Sequence, residues 1–104
     1  RADVVNGDQF ESPVNQLSNQ TKNFTDFVNN PNATPRAFWF MVRSAASQPT
    51  TFQTGASSSL LSDVGVTSST LDLEPDSPPA GYSAETYNIY GITLQPGNTY
   101  VSIS

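Results

Sequence analysis

The run AFWFMVRSAA, from Ala37 to Ala46, constrains this chain more than any other segment. Read with the two-residue period of a strand, Phe38, Phe40 and Val42 share one face and Trp39, Met41 and Arg43 the other. Both faces are apolar through residue 41. A strand of this kind is buried on both sides, so it is central in a sheet, or it is covered by a helix or by another subunit.

The rest of the chain also favours strands. Ser, Thr, Asn and Gln supply 40 of the 104 residues, while only 12% are charged and 36% apolar. Neutral polar residues favour turns, caps and strand surfaces over long helices. The aromatic share of 11% separates the chain from disordered sequences, which are poor in such residues. The length fits one domain, or one domain with an arm.

Strand candidates follow in order. Thr51-Phe52 is a short one, STLDLEP another with Leu71 and Leu73 on one face, and SAETYNIYGITL the longest. In that last segment Tyr87 and Ile89 share one face, and Tyr90, Ile92 and Leu94 the other; Gly91 suggests a bulge. The stretch SSSLLSDVGV reads as a brief helical turn or a loop. One helix is expected. In SPVNQLSNQTKNFTDFVNNP, Ser12 is an N-cap, Pro13 suits the first helical position, and Asn29 to Pro31 supply a stop. Val14, Leu17, Thr21, Phe24 and Val28 recur at three- and four-residue spacings, so a helix is expected over about 13–28. The expected organisation is an N-terminal arm and helix over 1–34 and a β-sandwich over 35–104.

The closing stretch TLQPGNTYVSIS reads as strand, turn, strand. Pro96 presets φ, and Gly97 accepts the positive φ of a type II turn. Thr99 to Ser104 carries no charge, so it belongs inside a sheet or under another chain. The pattern Leu94-x-Pro96-Gly97-x-x-Tyr100 resembles the E–F corner of fibronectin type III and other immunoglobulin-like domains. The resemblance covers about a fifth of the chain. It implies a tyrosine corner at Tyr100 and a buried core role for Trp39. The chain departs from the family at Ser102 and Ser104, where core residues are usual, in the long gap from Trp39 to Tyr100, and in ending where a last strand should begin. The expected fold class is therefore mainly β: a small antiparallel β-sandwich, Ig-like or jelly-roll-like, with one N-terminal amphipathic helix and an extended arm.

Several function classes are disfavoured. The net charge of −5, with four basic residues, gives no cationic footprint for nucleic acid or an anionic membrane. No apolar run is long enough to span a bilayer. There is no Cys, hence no disulfide or thiolate chemistry, and no His, the commonest general base and transition-metal ligand. Ser57-Ser58-Ser59 has no base partner. No pair among the nine acids stands out, so the chain is read as non-catalytic and without cofactors. Asp72, Glu74 and Asp76 alternate like calcium ligands but lack the glycine and closing Glu of an EF-hand loop, and a solvated strand end explains them as well. Three Asn-x-Ser/Thr sequons at Asn19, Asn23 and Asn32 are expected by chance in an Asn-rich segment. Arg1 leaves open whether the natural terminus is present.

Two functional expectations remain. The first is a non-catalytic structural protein of an extracellular or virion assembly, such as a phage capsid decoration (cement) protein or an appendage subunit. It would bind protein subunits of the same assembly through its arm and edge strands. The interface candidates are Leu17, Phe24, Val28, Phe38, Trp39, Phe40, Tyr100, Val101 and Ile103. The alternative is a carbohydrate-binding or adhesion module of a secreted protein, with Trp39, Tyr82, Tyr87 and Tyr90 as stacking aromatics.

Overall fold

The computed structural model describes residues 3–6, 13–15, 23–76 and 83–104. Among these, nine strands appear: β1 (Asp3–Asn6), β2 (Pro13–Asn15), β3 (Phe24–Asn30), β4 (Arg36–Arg43), β5 (Phe52–Gly55), β6 (Leu61–Asp63), β7 (Thr67–Asp72), β8 (Thr86–Leu94) and β9 (Gly97–Ile103). They form a five-stranded sheet in the order β2-β1-β4-β8-β7 and a four-stranded sheet in the order β3-β9-β5-β6. Each pairing is antiparallel.

The two inner faces make one core of Phe24, Val28, Phe38, Phe40, Val42, Phe52, Ile92, Leu94, Val101 and Ile103. Its inter-sheet contacts are aromatic. Phe24 meets Phe40 edge-on at 5.3 Å between ring centroids, and Phe52 meets Tyr90 at 5.0 Å. Burying each large apolar side chain contributes about 1.5–3 kcal/mol before entropy is counted.

β4 lies between β1 and β8, as its two apolar faces require. Phe38, Phe40 and Val42 enter the core. Its other face starts a second cluster, in which Met41 and Tyr87 are fully buried and Trp39, Leu71, Leu73 and Ile89 pack against them. β9 lies between β3 and β5, and the ladder to residue 51 continues through Ser104. The uncharged closing strand is therefore interior to a sheet.

No helix is seen in the described part of the segment over 13–28, where one is expected. The described parts of that segment are strands β2 and β3; Leu17 lies outside the described residues. The misreading has a simple cause. Phe24 and Val28 are four apart, and four is also twice the strand period, so both point inward from a strand. Phe27, off the supposed helical stripe, points out. Within the segment expected as an N-terminal arm and helix over 1–34, the described strand β1 pairs with β4 and β3 pairs with β9. The bulge expected at Gly91 is also absent, because β4 keeps an unbroken register through it and the pairing with β7 runs unbroken up to it. The glycine has another reason. A Cβ there would stand 2.7 Å from the Trp39 ring, which lies across the strand at this point.

The short link from β8 to β9 carries the chain from one sheet to the other, with Gly97 at φ +93°. That value suits the third position of the expected turn. A buried amide locks this crossing. Asn30 is 2% exposed, and its Nδ2 donates to the carbonyls of Leu94 (2.9 Å) and Thr34 (3.1 Å). Its Oδ1 accepts from the backbone N–H and the Nδ2 of Asn32. All four hydrogen-bonding positions of the amide are used. One side chain thus ties the end of β3, the β3–β4 turn and the end of β8.

Most strands at the sheet margins carry a device against unwanted pairing. β2 begins with Pro13 and has three residues, and β6 has three and ends in Asp63. β3 carries Asp26, an exposed charge at the inward-facing position between Phe24 and Val28. β7 has six residues and one charge, Asp72, at its end.

Two substitutions test these packing claims. Asn30→Ala leaves the Leu94 and Thr34 carbonyls without this donor, and is expected to cost about 2–3 kcal/mol in denaturant unfolding. Gly91→Ala drives a methyl into the Trp39 ring, and is expected to cost about 1–3 kcal/mol and to shift the Trp fluorescence.

Candidate functional site

Two surfaces stand out, one apolar and one polar. The first is the outer face of the four-stranded sheet. Register places Phe27 opposite Tyr100, Tyr100 opposite Gly55, and Gly55 opposite Leu61. These four positions form a row across the sheet. The rings of Phe27 and Tyr100 pack at 4.9 Å. Phe27 is 49% exposed and Leu60, beside the row, is 66% exposed. The turn after β5 folds over the sheet here: the Leu60 carbonyl occupies the space a side chain at Gly55 would need. This brings Leu60 close to the row.

Polar rows border it. On one side Thr25, Ser102, Gln53 and Asp63 face one another across the strands, with Gln53 Nε2 donating to Asp63 Oδ1 at 2.9 Å. On the other, Asn29 Nδ2 donates to Asn98 Oδ1 at 2.8 Å. An aromatic, charge-poor centre within a polar rim is the anatomy of a protein contact.

The second surface is a cleft of about 280 Å³ lined by Ser68, Ser69, Thr70, Asn88 and Tyr90. Tyr90 is well fixed. Its hydroxyl donates to Gln48 Oε1 at 2.8 Å, and Gln48 Nε2 donates to the carbonyls of Arg43 and Ala46.

The residues singled out from the sequence divide clearly. Phe24, Val28, Phe38, Phe40, Val101 and Ile103 are buried in the chain's own core. Trp39 is half-buried on the outer face of the five-stranded sheet, over Gly91. Its Nε1 is enclosed without a hydrogen-bond partner among the described residues, so packing holds the indole. Tyr100 is half-buried on the outer face of the four-stranded sheet, its ring against Phe27. The expected stacking aromatics do not share a face: Tyr87 and Trp39 belong to the outer cluster and Tyr90 packs against the core, while Tyr82 lies outside the described residues. Sequence reasoning missed Phe27 and Leu60. The signal for Phe27 was present, since Thr25, Phe27 and Asn29 alternate with the inward residues of the same strand.

The acidic stretch does not converge. Asp72 accepts from the Thr86 hydroxyl, and among the described residues no group of three or more His, Cys, Asp or Glu is placed to hold a metal ion. Arg43 and Glu85 form a two-point ion pair at the end of the outer cluster, which raises the arginine pKa. No helix among the described residues is long and apolar enough to cross a membrane. Comparison with family models, with curated proteins and with solved structures returned no match.

Burial raises the pKa of both Tyr87 and Tyr90; at Tyr87 a hydrogen bond from the Ser83 N–H opposes it in part. In the unfolded chain these phenols lose their protons near pH 10, before they do in the folded one. The unfolded state then binds fewer protons, so stability is expected to hold up to about pH 10 and to fall above it. Tyr90→Phe should flatten that alkaline fall in a pH series of urea melts. At neutral pH it should cost about 1 kcal/mol through loss of the bond to Gln48.

Proposed function

We propose that this domain is a non-catalytic structural module that assembles with other protein subunits through the outer face of its four-stranded sheet. The observation that carries this reading is the row Phe27–Tyr100–Leu61, extended by exposed Leu60 and bordered by neutral polar rows. Exposed aromatics at the centre of a patch are the residues whose truncation costs a contact most. Buried Phe24, Val28, Phe38, Phe40, Val101 and Ile103 serve the fold, and Tyr100 is the sequence-derived interface candidate that this surface retains.

The setting we propose is an extracellular or virion assembly, such as a capsid decoration protein or an appendage subunit. A charge-poor chain without Cys or His, dominated by neutral polar residues, is compatible with it. An immunoglobulin-like relationship is proposed on the LQPGNTY stretch, and the positive φ of Gly97 is compatible with the turn that stretch implies.

The test is light scattering and sedimentation of the 104-residue chain over rising concentration. Self-association is expected, weakened at least about tenfold by Phe27→Ser combined with Leu60→Ser. The double variant should keep the parent's far-UV circular dichroism, because both side chains face solvent. A chain that stays monomeric up to about 1 mM would overturn the reading as a contact between copies.

A further inference from the structure

The cleft beside β7 is uncharged, and its four principal side chains form a regular patch. Ser68 stands opposite Tyr90 and Thr70 opposite Asn88 on adjacent strands. These are the core-side positions of β8, shared with Ile92 and Leu94, but here the second sheet does not close over them: Ser68 and Thr70 are exposed and Asn88 is half-buried. Neighbouring strands lie about 5 Å apart, and residues two apart along a strand lie about 7 Å apart. The four groups therefore stand at the corners of a rectangle on the scale of one six-membered sugar ring and its substituents.

The chemistry of the lining narrows the ligand. Each of Ser68, Thr70 and Asn88 both donates and accepts hydrogen bonds, as do the hydroxyls of a sugar. Tyr90 adds an aromatic wall held against Phe52, with its hydroxyl already committed to Gln48. A ring fixed in advance loses little entropy on binding. Among the described residues no cationic side chain lines the cleft to receive an anion, and the net charge of −5 opposes one.

We propose that this cleft binds a neutral sugar ring, the end or branch of a glycan. The site is separate from the subunit contact, which lies on the outer face of the other sheet, so either reading stands or falls alone.

The experiment is a ¹⁵N–¹H NMR titration of the 104-residue chain with D-glucose, D-galactose, D-mannose and N-acetyl-D-glucosamine, with sodium D-glucuronate as the charged counterpart. At least one neutral sugar is expected to shift the amides of Ser68 to Thr70 and Asn88 to Tyr90, with a Kd on the order of millimolar, typical of a single weakly held ring. Glucuronate is expected to bind more weakly. Thr70→Val, close to isosteric, and Asn88→Ala should each lower affinity at least about tenfold while the amide signals of Phe38, Ile92 and Val101 stay in place. Either variant suffices should the other fail to fold. Three results would each overturn the proposal: no shift at these amides with any of the sugars at about 100 mM, shifts confined to Phe27 and Tyr100, or unchanged affinity in a folded variant.

Discussion

The two-faced burial of β4 organises everything else in this molecule. A strand with Phe38, Phe40 and Val42 on one side and Trp39 and Met41 on the other cannot lie at an edge or leave either side wet. One side obliges a second sheet to pack against it, which β3, β9 and β5 supply through Phe24, Ile103, Val101 and Phe52. The other side gathers Tyr87, Leu71, Leu73 and Ile89 into a cluster on the outside of the same sheet. The Gly91 position follows from this demand, because an indole on a crowded outer face needs a strand position without a side chain beneath it. In a chain only 36% apolar, concentrating so much of that surface around one strand lets so polar a sequence hold two sheets together.

Much of the fold was legible in advance, and the failures have definite physical causes. The alternations in β4, β7 and β8 identify their faces, since large apolar residues at a two-residue period fit a strand and do not line up on one side of a helix. Asn30 could not be anticipated: a buried amide satisfied by Leu94, sixty-four residues on, leaves no local trace in an Asn-rich segment. The N-terminal helix was misread because Phe24 and Val28 satisfy both periods and Pro13 suits the start of either element. The candidate surfaces were less legible than the core. Apolar content marks a residue as worth burying, and Phe24, Val101 and Ile103 were duly buried, within the chain itself. What remains for a partner depends on which face of each strand the sheet turns outward, and for Phe27 that was hidden by the helical reading. The cleft was less accessible still. Ser68, Thr70 and Asn88 are individually ordinary, and only the register of β7 on β8 makes them neighbours.

The two surfaces share a character. Both are poor in charge, and both rely on neutral hydrogen-bonding groups set around aromatic rings, so neither depends on long-range attraction to draw a partner in. Association at such surfaces responds little to salt and much to shape. They also lie on rigid elements. Phe27 and Tyr100 are held by the β3–β9 ladder and Tyr90 by Phe52 and Gln48, so each presents a fixed arrangement and little side-chain freedom is lost on contact.

The placement of β9 also sets the order in which the chain can be assembled during synthesis. The five-stranded sheet is complete in its pairings once Leu94 has emerged, and it can begin to form as the chain lengthens. The four-stranded sheet cannot, because β3 and β5 have no pairing with each other and meet only through residues 97–103. Until that strand arrives, Phe24 and Val28 have no ladder to hold them over the exposed inner face of β4. A nascent chain in which Leu94 has emerged from the ribosome and residues 97–103 have not would hold a half-core with Phe38, Phe40 and Val42 open to solvent, the interval in which such a chain is most exposed to aggregation or to a chaperone.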